Sequence, residues 1–185
     1  MSLKHAILGF LSYTSLSGYE LKKAFAQSVQ HFWPANQSQI YRTLAELHAQ
    51  GWVTQEVIQR EERLDLKRYH ITESGRAELQ RWLATPLPPQ DLREPFLIQV
   101  YFGGQLSDEE FLRLLAHEQA AAEERLALYS TLYQHNQAKL AAATDRRALF
   151  LSILTLEYGL RSNQILLEWL KSVIDRVRLA DYSLP

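Results

Sequence analysis

The tightest constraint on this chain is the order of local signals across residues 17–83. They pass from helix caps and helical periodicity to a period of two and back again within one small unit. Ser17 and Glu20 form a capping-box pair: the hydroxyl can accept from a free backbone N–H while the carboxylate reaches back. The spacing predicts a helix over about residues 18–30, with Tyr19, Leu21, Phe25 and Val29 as its inner face. Pro34 diverts the chain, and Asn36 with Gln39 forms a second box. The helix opened there should run to about residue 50, where Gly51 supplies a left-handed stop. Ile40, Leu44 and Leu47 share one face of it and should be buried. Gln37, Ser38, Gln39, Tyr41, Arg42 and Glu46 lie on or beside the other face, weighted to the N-terminal half.

Residues 53–57 then alternate apolar and polar, as a half-buried strand does. Glu61-Glu62-Arg63-Leu64-Asp65 reads as a polar tip. Residues 67–71 alternate again, with Tyr69 and Ile71 inward and Arg68 and His70 outward. Thr72 caps a further helix to about residue 83, expected to be buried through Leu79, Trp82 and Leu83. Ahead of all this, Leu3, Ile7, Leu8, Phe10 and Leu11 place a helix over residues 3–13, broken by Ser15-Leu16-Ser17-Gly18. Three helices, a two-stranded ribbon and a fourth helix are the order of a winged helix-turn-helix, a fold that usually reads duplex DNA.

A recognition helix presents its N-terminal residues to base edges in the major groove. Gln and Arg can make bidentate contacts with A and G, while Ser and Tyr can bond phosphates. Gln37, Ser38, Gln39, Tyr41 and Arg42 are therefore the candidate readers. On the wing, Lys67, Arg68 and His70 are candidate DNA contacts, with Arg60 and Arg63 before the tip. A second reading pairs the wing cations with Glu61, Glu62 and Asp65 across the hairpin, a surface arrangement worth only ~0–1 kcal/mol.

The bulk properties fit this picture. Net charge is −1 over 185 residues, which argues against indiscriminate coating of nucleic acid. The halves differ: residues 1–85 hold ten Lys/Arg against eight Asp/Glu, and residues 86–185 hold ten against thirteen. That is a small basic bias on the side of the expected reading face. With no cysteine, thiolate metal sites and disulfides are excluded. No apolar run approaches the roughly 18–20 residues that span a bilayer. The first residues lack a signal peptide's apolar core, so a cytoplasmic protein is expected, with no membrane partner. The six histidines show no helical zinc spacing, and there is no nucleophile elbow. The expectation is therefore no enzyme, no metal and no cofactor.

The segments Ser17-Gly18-Tyr19-Glu20-Leu21, Phe32-Trp33, Gln39-Ile40-Tyr41-Arg42-Thr43-Leu44, Gly51-Trp52-Val53, Tyr69-His70-Ile71-Thr72 and Gly75-Arg76…Trp82-Leu83 resemble PadR-family transcriptional regulators. The likeness covers nearly all of residues 3–84 in order. It implies a regulator, most often a repressor, working as a homodimer on palindromic double-stranded DNA. A proline common in that family's wing is replaced here by Leu64-Asp65-Leu66.

A proline-rich stretch, residues 85–91, sets an expected boundary: a winged helix-turn-helix DNA-binding domain over 1–85 and a helical dimerisation domain over 86–185. The fold class is mainly α. Beyond the connector a short helix over about 94–102 should end at Gly103-Gly104. Two long helices follow, opened by Ser107 with Glu110 and by Asp145, and reaching about residues 143 and 178. They can pair as an antiparallel hairpin. The last helix is apolar over more than one stripe, so a second subunit is its natural cover. Leu149, Ile153, Leu156, Leu160, Leu167, Leu170 and Ile174 are the candidate dimerisation residues. The layout is similar to the helical C-terminal domain of the longer, virulence-activator-like members of the family, which serves dimerisation.

Some members of that family respond to phenolic acids or planar drugs. The resemblance thus points to a small aromatic effector, with Phe32, Trp33, Phe96, Tyr101 and Tyr158 as candidate pocket residues. The alternative is that these aromatics pack the core and the dimer interface. Against DNA reading as a whole stands a different class, a winged-helix module that binds protein. An apolar patch at the start of the third helix would have favoured it; Gln, Ser and Arg stand there instead.

Overall fold

The computed structural model describes residues 2–59, 65–89 and 93–183. Arg60 and the expected tip residues Glu61, Glu62, Arg63 and Leu64 lie outside the described residues. The chain divides into two compact units, residues 1–91 and 92–185.

The first unit begins with α1 (Ser2–Tyr13), followed by β1 (Leu16–Ser17), α2 (Gly18–Gln27) and α3 (Gln37–Ala49). The ribbon of β2 (Val53–Ile58) and β3 (Leu66–Ile71) and then α4 (Glu73–Ala84) complete it. Both predicted capping boxes form. Ser17 Oγ accepts from Glu20 N at 3.2 Å while Ser17 N donates to Glu20 Oε2 at 2.7 Å. Asn36 and Gln39 exchange the same pair of bonds at 2.9 Å each. Gly51 stops α3 at φ 69°, a conformation that costs glycine little. Ile7, Leu8, Leu21, Ile40, Leu44 and Leu47 are fully buried and weld α1, α2 and α3 together. Each contributes about 1.5–3 kcal/mol of transfer free energy.

The short strand β1 was not expected; Ser15 to Gly18 read only as a break. Its two residues pair antiparallel with β3, Leu16 opposite Tyr69 and Ser17 opposite Arg68. The sheet order is therefore β1-β3-β2, with β3 in the middle. Two residues are too few to show alternation, which is why periodicity missed the strand. The expected inner face of α2 also needs correction. Tyr19 is 67% exposed, because positions two apart on a helix point to different faces and Leu21 took the core. Leu83 shares a face with Leu79 but is exposed, since it sits at the last turn of α4. The second helix stops at Gln27 rather than near residue 30, and backbone turns through Ser28 and Val29 carry the chain onward.

The second unit holds α5 (Pro95–Tyr101), α6 (Asp108–Lys139) and α7 (Arg146–Arg178). The predicted Ser107–Glu110 box opens α6, and Asp145 Oδ1 accepts from Ala148 N at 2.8 Å to open α7. The first long helix ends at Lys139, a few residues early, in a tighter turn over Leu140–Ala142. The pair runs antiparallel. Leu115 clusters with Leu170 and Ile174, Arg125 Nε donates to Asn163 Oδ1 at 3.0 Å, and the Tyr129 ring lies against Gly159.

This pairing covers the face expected to meet a partner subunit. Ile153, Leu156, Leu167, Leu170 and Ile174 are buried within the protomer, and Leu149 and Leu160 are half-buried. They lie on the side of α7 that α6 covers. Advancing roughly 100° per residue, Phe150, Leu154, Tyr158 and Ile165 form a stripe on the opposite side, and all four are exposed. A helix apolar on two faces does not announce which face its own chain will take.

Candidate nucleic-acid interface

The first turn of α3 is where the cap and the candidate readers coincide. The box that starts the helix occupies Gln39: its Oε1 accepts from Asn36 N, so this side chain is held at the cap before any ligand arrives. Gln37 Oε1 accepts from Lys22 Nζ at 3.4 Å, joining α2 to the start of α3. The side chains of Ser38 and Arg42 are exposed and take part in no hydrogen bond or ion pair among the described residues. Their donors are uncommitted and lie on the N-terminal half of the helix, one turn apart.

Tyr41 is 41% exposed, with its ring on the backbone at Gly18. A Cβ at Gly18 would come within 2.6 Å of that ring, so only glycine lets α2 and α3 approach this closely. Beside it Tyr19 stands out from the first turn of α2. Sequence reasoning placed Tyr19 in the core; its helical phase relative to Leu21 was the signal that could have found it. Behind them Tyr69 is buried, and burial, then the neighbouring Tyr41 phenol, raises its pKa above the usual phenol value.

On the wing, Lys67 is exposed opposite Val57 and makes no ion pair among the described residues. His70 Nε2 meets Glu56 Oε2 at 3.1 Å across the hairpin. Arg68 departs from expectation. Its Nη1 donates to Ser15 O at 3.2 Å, and its Nη2 lies 3.6 Å from Glu20 Oε1. The cause is the unexpected strand: with β1 alongside, β3 is no longer an edge, and its outward positions have a neighbour to bond.

The candidate effector residues fall into separate places. Phe32 and Trp33 line a cavity of about 390 Å³ in the first unit, with Phe10, Val29, Leu79 and Leu83 as further apolar wall. His5 and Trp82 complete it, ring on ring at 4.3 Å. His5 Nε2 bonds Glu78 Oε1 at 3.0 Å, while its Nδ1 is buried without a partner. That hydrogen bond first, then the one from Arg81, holds the Glu78 carboxyl below its usual pKa. Phe96 instead packs edge-on against Trp169 in the second unit. Tyr101 and Tyr158 are exposed.

Comparison with known proteins places both units. Residues 7–81 match the model of the Transcriptional regulator PadR-like family, and residues 92–178 match the Virulence activator alpha C-term model. The "Negative transcriptional regulator PadR" of Bacillus subtilis is 30% identical over 173 residues, 93% of this chain and 95% of that protein. "Probable transcriptional regulator Rv1176c" of Mycobacterium tuberculosis is 47% identical over 89 residues, 48% of this chain and only 47% of that protein. Among solved structures, Bacillus subtilis PadR in complex with operator DNA superposes with a TM-score of 0.83 at 29% identity, covering 96% of this chain and 99% of that one. The same protein in complex with p-coumaric acid gives 0.80 at 29% identity, with the same coverage. The Vibrio cholerae virulence activator AphA gives 0.78 at 28%, covering 97% and 99%.

Proposed function

The chain belongs to the PadR-like family and is a DNA-binding transcriptional regulator, not an enzyme; from that premise we propose that it is a ligand-responsive repressor acting as a homodimer on a palindromic operator. One observation carries the reading. The N-terminal face of α3 is polar, exposed and equipped with uncommitted donors at Ser38 and Arg42. Arg42 is assigned to a base edge and Ser38 to a base or phosphate. Tyr19, Tyr41 and Lys67 are assigned to the backbone, where such contacts position the protein without specifying sequence. Gln37 and Gln39 act first as supports of the helix start, and His70 flanks the wing contact. The operator of Bacillus subtilis PadR supports a DNA duplex as partner.

Two α3 helices in successive major grooves require two copies related by a two-fold axis and half-sites about one helical turn apart, roughly 10 bp. The exposed stripe of α7 is the surface assigned to that pairing. The apolar cavity beside α1 and α4, with Phe32 and Trp33 in its wall, is assigned to a small aromatic effector. The p-coumaric acid bound by Bacillus subtilis PadR supports that chemistry. The site of action is the cytoplasm, where the operator lies.

Selection of duplexes from a randomised pool, followed by footprinting, tests the reading. A palindrome protected over two half-sites one turn apart is expected. Binding without sequence preference, or a single protected half-site at saturating protein, would overturn it.

A further inference from the structure

Among the described wing residues, Arg68 has its guanidinium already engaged. Its guanidinium spans the junction between β1 and α2, with Nη1 on Ser15 O and Nη2 facing Glu20 Oε1. The other oxygen of that carboxylate closes the α2 cap, accepting from Ser17 N at 2.7 Å and Ser17 Oγ at 2.8 Å. A single carboxylate therefore starts α2 with one oxygen and faces the wing strand with the other. Ser17 also lies opposite Arg68 in the β1–β3 ladder. The residue after this cap is Gly18, on which the Tyr41 ring of α3 rests. A contiguous set of contacts thus runs from β3 through Arg68, Glu20 and Gly18 to the reading helix.

We propose that Arg68 is a positioning residue that sets the wing against α2 and α3, so that it raises affinity for the operator without contacting a phosphate. The inference rests on the DNA-binding reading and divides labour on β3. Lys67, exposed and in no ion pair among the described residues, neutralises a phosphate; Arg68 fixes the angle at which Lys67 and α3 reach the duplex together.

The experiment measures affinity against salt for wild type, Lys67→Ala, Arg68→Ala, Arg68→Lys and Glu20→Gln. Each is tested on a duplex selected by the wild-type protein and on its scrambled counterpart. Lys67→Ala should flatten the slope of log affinity against log salt by nearly one unit and weaken both duplexes alike. Arg68→Ala should weaken the selected duplex by about threefold or more, within the range carried by such contact networks, with the slope and the scrambled duplex unchanged. A slope flattened by nearly one unit in Arg68→Ala, or an unchanged affinity for the selected duplex, overturns the proposal.

If Arg68→Ala fails to fold by circular dichroism, Arg68→Lys decides. Lysine keeps the charge but lacks the planar fork that holds Ser15 O and Glu20 in one fixed geometry, so it should lose operator affinity as predicted for alanine; wild-type affinity overturns the idea. Glu20→Gln keeps an oxygen for the cap and removes the partner charge. It should weaken the selected duplex, whereas an arginine released toward phosphate would tighten both duplexes and overturn the proposal. Failure of the wild-type protein to select any duplex would count against DNA reading itself, not against this assignment.

Discussion

Ile165→Arg should split the proposed dimer and leave the protomer folded. Ile165 is 67% exposed, on the side of α7 away from α6, in line with Phe150, Leu154 and Tyr158. Burying an isoleucine fully is worth about 1.5–3 kcal/mol, so the exposed two-thirds holds about 1–2 kcal/mol. A two-fold axis places the residue in both copies of an isologous interface, which doubles this to about 2–4 kcal/mol. At 1.4 kcal/mol per tenfold, the dissociation constant should rise about 30- to 700-fold before any cost of facing two arginines across the axis. Sedimentation equilibrium over a concentration series reads the constant, and a thermal melt by circular dichroism reads the protomer. Leu170→Ala is the contrast. Leu170 is fully buried against Leu115 and Ile174, so its truncation should cost about 2–5 kcal/mol of protomer stability. A wild-type chain that sediments as a monomer at micromolar concentration would refute the reasoning. So would an Ile165→Arg chain that dimerises as tightly as wild type.

Three further outcomes follow from the geometry. Gly18→Ala puts a Cβ within 2.6 Å of the Tyr41 ring, so Tyr41 must move. DNA affinity in a gel-shift titration should fall by about 1 kcal/mol or more, as overpacking in a tight contact costs, and unchanged affinity would show that Tyr41 can be displaced freely. The Glu78 carboxyl is held below its ordinary pKa by His5 and Arg81, so it stabilises the fold above the unfolded carboxylate value and that gain is lost as pH falls through the folded value. Glu78→Gln should melt earlier than wild type at pH 7, with the gap closing below about pH 4; a gap that stays constant with pH would contradict the linkage. A Cβ at Gly9 meets open space beside the apolar cavity, so Gly9→Leu should abolish any release of DNA by a phenolic acid in a gel shift while leaving DNA binding itself intact. Undiminished release would place the effector elsewhere.

What could be read in the sequence depended on how local the signal was. Capping boxes at Ser17, Asn36 and Ser107 are four-residue patterns with one physical outcome, and all three formed. The buried face Ile40, Leu44 and Leu47 followed from helical spacing alone. The misses were non-local. Arg68 looked outward by alternation, yet its fate was decided by a two-residue strand that comes from fifty residues earlier in the chain. Leu156 and Leu170 looked like interface because α7 is apolar on two sides, and only the pairing with α6 shows which side was taken. Tyr19 differs: its helical phase relative to Leu21 turns it away from the core, while its aromatic ring suggests burial. Among the candidate site residues, type and position pointed to Gln39 as a reader, while the same capping box that predicted the helix start also commits its oxygen.

The central claim is that the exposed N-terminal face of α3 reads bases. The most direct measurement is the affinity of wild type and Arg42→Ala for a selected duplex and for every single-base variant of one half-site. The account predicts a loss of about 1–3 kcal/mol on the selected duplex and relaxed discrimination at one base position, with the other positions read as before. Equal losses on all duplexes would make Arg42 a backbone contact. Intact affinity and an unchanged preference at every position in Arg42→Ala, and again with Gln37, Ser38 and Gln39 also replaced by alanine, would mean that α3 is not the reader.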